Sequence, residues 1–295
     1  MMIRGRWRLP LAIVSVMTCG SLLYGCTPGN ESDELGIPKK NIDTWSMPLD
    51  PYIEVTLSPF PREAWLVTMT GCMDEAGFDA PDVPQGYAPP ADPVRNSADY
   101  VVFNTRTAEQ YGYHQGHNLP GYQIEDPGLE MSERLETWGA AGMQAFEACG
   151  EKYDHLLGSP GGTARNLSGQ ASHNVEQSGR LDDEKEAWVE CMKPLGIASL
   201  PSDPTEFPTT EVQKSIGLES APDGEVWTSV PTPEEIALAV HDAGCRESSG
   251  YLQELYDLEW DEQLQLLEAN RATLDAERIK AEETIEEARK VANDR

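Results

Sequence analysis

Apolar positions recur along this chain with the spacing of helices rather than of strands. The first clear stripe predicts an amphipathic helix over residues 62–76, which Gly77 ends. Its apolar face consists of Trp65, Met69, Cys72, Met73 and Ala76. A later helix has a strong start signal, with Thr232 as N-cap, Pro233 at the first helical position and Glu235 to complete a capping box. The pattern therefore predicts a mainly α-helical protein.

The end of the first helix is repeated further along the chain. Residues 72–78 (Cys-Met-Asp-Glu-Ala-Gly-Phe) match residues 191–197 (Cys-Met-Lys-Pro-Leu-Gly-Ile) in three positions and in character at the last. Pro194 indicates that the second helix ends close to its cysteine. A segment with helical character follows each copy, at residues 145–149 and 240–245. An internal repeat explains this pattern, and chance similarity between short segments is the alternative.

The last part of the chain, residues 251–295, contains neither proline nor glycine and predicts one long, charged helix. A sparse apolar stripe with a seven-residue spacing runs through Leu267, Leu274, Ala281 and Ala288. We expect the part up to Leu267 to pack on the globular body, and the alanine-rich remainder to project or to pair. A solvated terminal helix is the alternative to a coiled coil.

The N-terminus has the parts of an export signal. Three arginines among the first eight residues precede an apolar run that is too short to span a bilayer. The segment Leu23-Tyr24-Gly25-Cys26 then resembles the lipobox of bacterial lipoproteins, in which the cysteine receives a diacylglycerol. We therefore expect a lipoprotein signal peptide, a lipidated Cys26 and a position on the extracytoplasmic face of the cell membrane. An ordinary secretory signal is the alternative.

The charge balance restricts the partners of the chain. Its 22 Lys and Arg residues stand against 51 Asp and Glu residues, for a formal net charge of −29. So acidic a chain repels nucleic acid and anionic lipid surfaces. We therefore expect no nucleic-acid partner, and we expect the acyl chains on Cys26 to provide the attachment to the membrane.

Four cysteines remain once Cys19 leaves with the signal and Cys26 takes lipid. An even number in an exported chain, without CxxC or zinc-type spacing, predicts two disulfides. Four cysteines allow three pairings. The repeat favours one bond within each half, Cys72–Cys149 and Cys191–Cys245.

These signals divide the chain into consecutive parts. The parts are the signal peptide (1–25), Cys26 with a flexible tether (26–60), a first helical half (61–158), a Gly/Ser-rich linker (159–180), a second helical half (181–250) and the charged C-terminal helix (251–295). Within the tether, residues 52–57 could form a short strand. The predicted fold class is a disulfide-stapled α-helical domain of two pseudo-repeated halves, with long loops and a long C-terminal helix.

Several short motifs follow the Leu-Tyr-Gly-Cys segment in a defined order over most of residues 65–275. They are Cys-Met-Asp-Glu-Ala-Gly-Phe at 72–78, Ala-Glu-Gln-Tyr-Gly-Tyr at 108–113, Trp-Val-Glu-Cys-Met at 188–192, Glu-Ile-Ala-Leu-Ala-Val-His-Asp-Ala-Gly-Cys at 235–245 and Leu-Leu-Glu-Ala-Asn at 266–270. Their order resembles a group of uncharacterised lipoproteins from actinobacteria. The resemblance implies a mostly helical, surface-anchored protein, and it brings no catalytic residues with it.

The chain contains none of the common catalytic motifs, so we expect no enzymatic activity, no cofactor and no metal site. The nearest approach to a metal pair is His114-Gln115-Gly116-His117, which has no third ligand at a recognised spacing. One segment rich in Tyr and Gly suggests a recognition loop, formed by Tyr111, Tyr113, His114, His117 and Tyr122. Aromatic residues that cap a core are the alternative.

Two functions from different classes fit the sequence. The first is a lipid-anchored, non-enzymatic interaction or accessory protein of the bacterial cell envelope, with an envelope protein as its partner. The tether, the missing catalytic motifs and a projecting C-terminal helix favour it. The second is an extracytoplasmic binding protein for a small cation or cationic solute, which the negative charge and the Tyr/Gly/His loop favour. An envelope hydrolase has only its compartment in its favour.

Overall fold

A computed structural model describes residues 36–88, 94–96, 100–114, 126–157, 162–218 and 230–294. Within these ranges the protein is helical, with two isolated β-bridges and no strand, which confirms the mainly α fold class. The helices are α1 (Asp50–Glu54), α2 (Pro59–Glu75), α3 (Thr105–Tyr111), α4 (Pro127–Tyr153), α5 (Gly162–Glu176), α6 (Asp182–Met192), α7 (Thr210–Ser215), α8 (Pro233–Ser248) and α9 (Tyr251–Asn293). Short 3₁₀ turns lie at Val55–Leu57, Asp154–Leu157, Lys193–Leu195 and Pro204–Glu206.

The long C-terminal helix is the element on which much of the molecule packs. α9 has 43 residues, which corresponds to a length of about 65 Å. Helices α2 and α5 lie against it, and α1 and α8 also contact it. Among the described residues, no helix is both long enough and apolar enough to cross a membrane.

The expectation that the alanine-rich end of α9 projects is wrong. Ala288 and Ala292 are buried, and Ala288 packs with Ala64 of α2 and with Leu156 of the 3₁₀ turn after α4. Ala64 and Ala288 are each 0% exposed. Their small side chains let the two helices approach closely, so this end of α9 is covered by α2. The predicted seven-residue stripe is otherwise buried at Leu267 and Leu274 and half-buried at Ala281.

The predicted tether is also corrected where the structure describes it. Trp45, Met47, Leu49 and Ile53 are at most 1% exposed, and α1 occupies part of the range predicted as a strand. The Tyr256 hydroxyl on α9 accepts the Asn41 N–H at 2.8 Å and donates to the Ser46 carbonyl at 2.8 Å. We call residues 41–57 the N-terminal strap, because they are bound along α9. Residues 1–35, with the signal peptide and Cys26, lie outside the described residues.

Both disulfide predictions are confirmed. Cys72–Cys149 joins α2 to α4, with 6.0 Å between the Cα atoms, and Cys191–Cys245 joins α6 to α8, with 5.6 Å. The matching helix ends have the same environment in both halves. The methionine after each first cysteine, Met73 and Met192, is 0% exposed, as are Met69 and Trp188 three residues before each cysteine. Gly77 and Gly196 have positive φ angles of 89° and 66° just beyond the helix ends, as a left-handed stop requires.

The two halves follow each other in sequence, but their helices contact each other in the fold. α3 belongs to the first half by position, yet it packs against α8 of the second. The predicted linker at residues 159–180 is wrong as well, because α5 occupies most of it and packs on α9. Its buried side chains, Ala164, Ala171 and Val175, keep a helical spacing that the Gly and Ser content obscured.

Candidate functional site

A cavity of about 190 Å³ lies between the N-terminal strap, α5 and α9. We call it the strap cavity. Asn96 also reaches it, and its side-chain amide donates to the Trp45 carbonyl at 2.9 Å. The side chains that determine its chemistry are Trp45, Tyr100, Arg165, Ser168, Glu259 and Gln263. The strap cavity thus combines an aromatic wall, one acid, one base and neutral hydrogen-bonding groups.

Glu259 is the acid of the strap cavity and is 3% exposed. Its Oε2 atom accepts a hydrogen bond from the Trp45 indole nitrogen at 3.1 Å, and the Ser172 side chain is a second hydrogen-bonding partner. Burial raises the pKa of Glu259, and the nearby charge of Glu176 adds to the rise, whereas these two hydrogen bonds offset part of it. Among the described residues, no Lys or Arg forms an ion pair with Glu259 and thus none provides it with a counter-ion.

The aromatic wall is held rigidly. The rings of Trp45 and Tyr100 are stacked, with their centroids 4.4 Å apart and 8° between their planes, and Tyr256 meets Trp45 edge-on at 5.1 Å. Trp45 has a φ angle of 51°, in the left-handed region that a bulky side chain rarely adopts. Such backbone strain costs on the order of 1–3 kcal/mol and persists only where the surroundings impose it. The strap thus fixes the indole in one orientation.

Gln263 and Arg165 differ in whether their side chains have partners among the described residues. Gln263 accepts the Leu49 N–H at 3.2 Å and donates to the Ser168 hydroxyl at 3.2 Å, so both ends of its amide are occupied. Arg165 on α5 is half-buried and forms no ion pair within the described part of the chain. The base of the strap cavity is therefore available to a ligand.

The predicted recognition loop falls largely inside the protein where it is described. Tyr113 and His114 are 9% and 4% exposed, and Tyr111 is half-buried. His117 and Tyr122 lie outside the described residues. The buried positions of Tyr113 and His114 favour the alternative that these side chains complete a core.

The carboxylate of Glu235 explains why Tyr113 and His114 are buried. Its Oε1 atom accepts the Tyr113 N–H at 2.9 Å and lies 2.9 Å from the His114 Nδ1 atom. The Thr232 side chain accepts the Glu235 N–H at 3.1 Å, as predicted for an N-cap, but the Glu235 carboxylate contacts Tyr113 and His114, just after the end of α3. Gly112 makes room for it, because a Cβ there would lie 2.4 Å from Glu235 Oε1.

A second buried charge, Asp242 on α8, is fully paired. Arg246 donates to both of its oxygens at 2.9 Å, and the Trp188 indole nitrogen donates at 2.9 Å. Tyr113 donates its hydroxyl to Oδ2 at 3.3 Å. Because a buried carboxylate with this many donors is satisfied inside the protein, this network stabilises the second half and offers no free group to a ligand.

In the part of the chain that the structure describes, one three-residue group has the composition of a metal site, namely Cys191, His241 and Cys245. The two sulfurs form a disulfide, and a metal needs the thiolate form. This group therefore does not provide a metal centre in the oxidised protein.

The side chains of the strap cavity were not singled out in the sequence, although a pattern pointed to one of them. Leu255, Glu259, Gln263 and Leu267 follow each other at intervals of four residues on one buried face of α9. Two polar residues between apolar ones on a helical face, one of them an acid, are the signal that marks Glu259. The contact with Trp45 had no such signal, because it joins distant parts of the chain.

The chain matches no known protein-family model, no curated protein and no solved structure. The chemistry of the strap cavity and the docking of the strap are therefore the basis for a functional proposal.

Proposed function

We propose that this chain is a lipid-anchored, non-enzymatic accessory protein of the bacterial cell envelope. The lipobox-like segment ending at Cys26 supports the anchor. The observation that carries the proposal is the docking of the N-terminal strap along α9, from Asn41 to α1. This docking ties the chain that follows the anchor firmly to the helical body.

The docking limits how far the body can lie from the membrane. About 15 residues separate Cys26 from Asn41, and such a chain reaches at most about 50 Å when fully extended. Asn41 contacts Tyr256, near the start of α9. In the proposed arrangement the start of α9 therefore lies within about 50 Å of the membrane, and an envelope partner meets the protein close to the bilayer.

The anchor is tested by replacing the cysteine that would carry it. Cys26→Ala is expected to abolish labelling with a radioactive fatty acid and to move the protein from the membrane fraction to the soluble fraction. Cys19→Ala provides the matched control, because it removes a thiol from the same segment and is expected to leave labelling unchanged. Acyl labelling that persists in Cys26→Ala would refute the anchor.

The accessory role is tested by photo-cross-linking in intact membranes. A photoreactive amino acid replaces Gln253, which is exposed near the start of α9. The expected product joins the protein to another envelope protein, and its yield is expected to fall in the Cys26→Ala background. Cross-links that form equally well without the anchor would count against the proposal.

A second candidate function is the binding of a small cationic solute outside the cytoplasm. The observation that favours it is Glu259, a buried carboxyl group without an internal counter-ion among the described residues, in a cavity of about 190 Å³. The total charge of −29 also favours the approach of cations. Thermal shifts of the full-length protein with small amines and with divalent cations test it, and Glu259→Gln is expected to abolish the shift.

A further inference from the structure

We propose that the strap cavity binds a small zwitterion, an amino acid or a molecule of the same chemistry, with its ammonium group on Glu259 and its carboxylate on Arg165. The inference rests on the second candidate function and narrows it, because the cationic group that binds Glu259 then belongs to a solute that also carries a carboxylate. Three observations carry it: an acid without a counter-ion, a base without a partner among the described residues, and a cavity that both side chains line.

The acid calls for a cation. A buried carboxylate is costly unless it is paired, and the donors to Glu259 within the described part of the chain are the Trp45 and Ser172 side chains. A carboxylate offers about four lone-pair sites, so these two donors leave capacity for an ammonium group. A ligand ammonium would supply the missing counter-ion at a buried position, where an unpaired carboxylate is most costly.

The base excludes a simple cation as the best ligand. Arg165 lines the same cavity, and its guanidinium group would repel a second positive charge that came close to it. Its planar fork matches a carboxylate, with which it forms paired hydrogen bonds. A simple anion would in turn be repelled by Glu259. A molecule that carries both charges can pair with Glu259 and with Arg165 at the same time.

The size and rigidity of the strap cavity agree with a small ligand. Its volume is about 190 Å³, and an apolar cavity of about 150 Å³ in another protein holds benzene, which has six heavy atoms. A solute of about six to nine heavy atoms therefore fits. The stacked pair of Trp45 and Tyr100 forms a preformed wall, so little ordering has to accompany binding.

The test uses the full-length protein in detergent. Ligand binding is measured by thermal unfolding and by titration calorimetry. The probes are L-alanine, L-serine, L-threonine and L-valine, each beside its methyl ester, which lacks the carboxylate, and its N-acetyl derivative, which lacks the ammonium. At about 100 times its dissociation constant, a free amino acid that binds is expected to raise the melting temperature by roughly 5 °C or more. The ester and the N-acetyl derivative are expected to give no comparable shift.

Variants assign the two charges. Glu259→Gln and Arg165→Gln are each expected to weaken binding at least tenfold. Asp261→Asn and Arg180→Gln remove the same charges at exposed positions of α9 and after α5, and they are expected to bind as the unaltered protein does. Arg165→Gln leaves the bond between Trp45 and Glu259 in place, so it tests the site even if Glu259→Gln alters packing.

The outcomes separate this inference from the function on which it rests. If the methyl esters bind as tightly as the free amino acids and Arg165→Gln has no effect, the zwitterion proposal is overturned and cationic-solute binding stands. If no probe of any charge shifts the melting temperature, both are overturned. Binding of a free amino acid that depends on both Glu259 and Arg165 supports the zwitterion proposal and the role of Glu259 as the site for the cationic group of the solute.

Discussion

The indole nitrogen of Trp45 lies 3.1 Å from a carboxylate oxygen of Glu259, although 214 residues separate the two in sequence. This hydrogen bond joins the N-terminal strap to the C-terminal helix. It also places a rigid aromatic ring beside a buried acid at the wall of the strap cavity. The same contact therefore serves the fold and shapes the candidate ligand site.

The buried acid should make stability depend on pH. Burial raises the pKa of Glu259 above its ordinary value of 4.5. Below pH 4.5 the group is protonated in both states and has no net effect. Above that value the unfolded chain ionises first, so stability falls as the pH rises, until the pKa of the folded state is passed. Urea unfolding of Glu259→Gln across this range should show a weaker decline than the unaltered protein, and Asp261→Asn should not. Identical pH profiles for Glu259→Gln and the unaltered protein would contradict this.

The strap should contribute strongly to stability. Trp45 is 1% exposed, and its replacement by alanine removes a buried indole together with the donor to Glu259. We expect Trp45→Ala to lower the free energy of unfolding by about 3–5 kcal/mol. Leu57→Ala is the control in the same strap, because Leu57 is 51% exposed, and it should change stability by less than about 0.5 kcal/mol. Equal effects of the two variants in urea unfolding would show that the strap is not docked in solution.

The alanine-rich end of α9 should tolerate large side chains on only one face. Ala288 is 0% exposed against α2, so Ala288→Leu should overpack the contact and cost about 1–3 kcal/mol. Ala272 is exposed on the same helix, and Ala272→Leu should be close to neutral. Thermal unfolding distinguishes the packed end from a projecting one, for which both substitutions would be neutral.

The interruption of α4 should require glycine. Gly139 has φ 64° and ψ −152° within α4, a region that is essentially restricted to glycine. We expect Gly139→Ala to cost about 1–3 kcal/mol, although no side chain stands in the way of a Cβ there. Gly71→Ala, at an exposed position inside α2 with open space around it, should instead stabilise by about 0.5–1 kcal/mol. Urea midpoints that move in the same direction for both variants would be inconsistent with this difference.

Features that depend on neighbouring residues could be predicted from the sequence. Thr232 caps α8, because its hydroxyl reaches a backbone N–H three residues ahead. Gly77 follows the end of α2, because glycine adopts positive φ without strain, and α6 ends at Met192, two residues before Pro194. The disulfide pairing followed from the repeat, since each cysteine pair joins two helices of one half. The long helix α9 was also evident, since nothing in residues 251–293 interrupts it.

The tertiary structure decided the conformation of two segments whose composition is typical of linkers. Residues 41–57 mix apolar side chains with Pro, Asp, Asn, Ser and Thr, and α5 contains few apolar side chains. Each segment acquires its structure by burying its apolar side chains against α9. That burial depends on both partners, so the composition of either segment alone does not reveal it. The strap cavity has the same origin. Trp45, Arg165 and Glu259 come from three distant parts of the chain, and only their packing around α9 brings an acid, a base and an aromatic wall together.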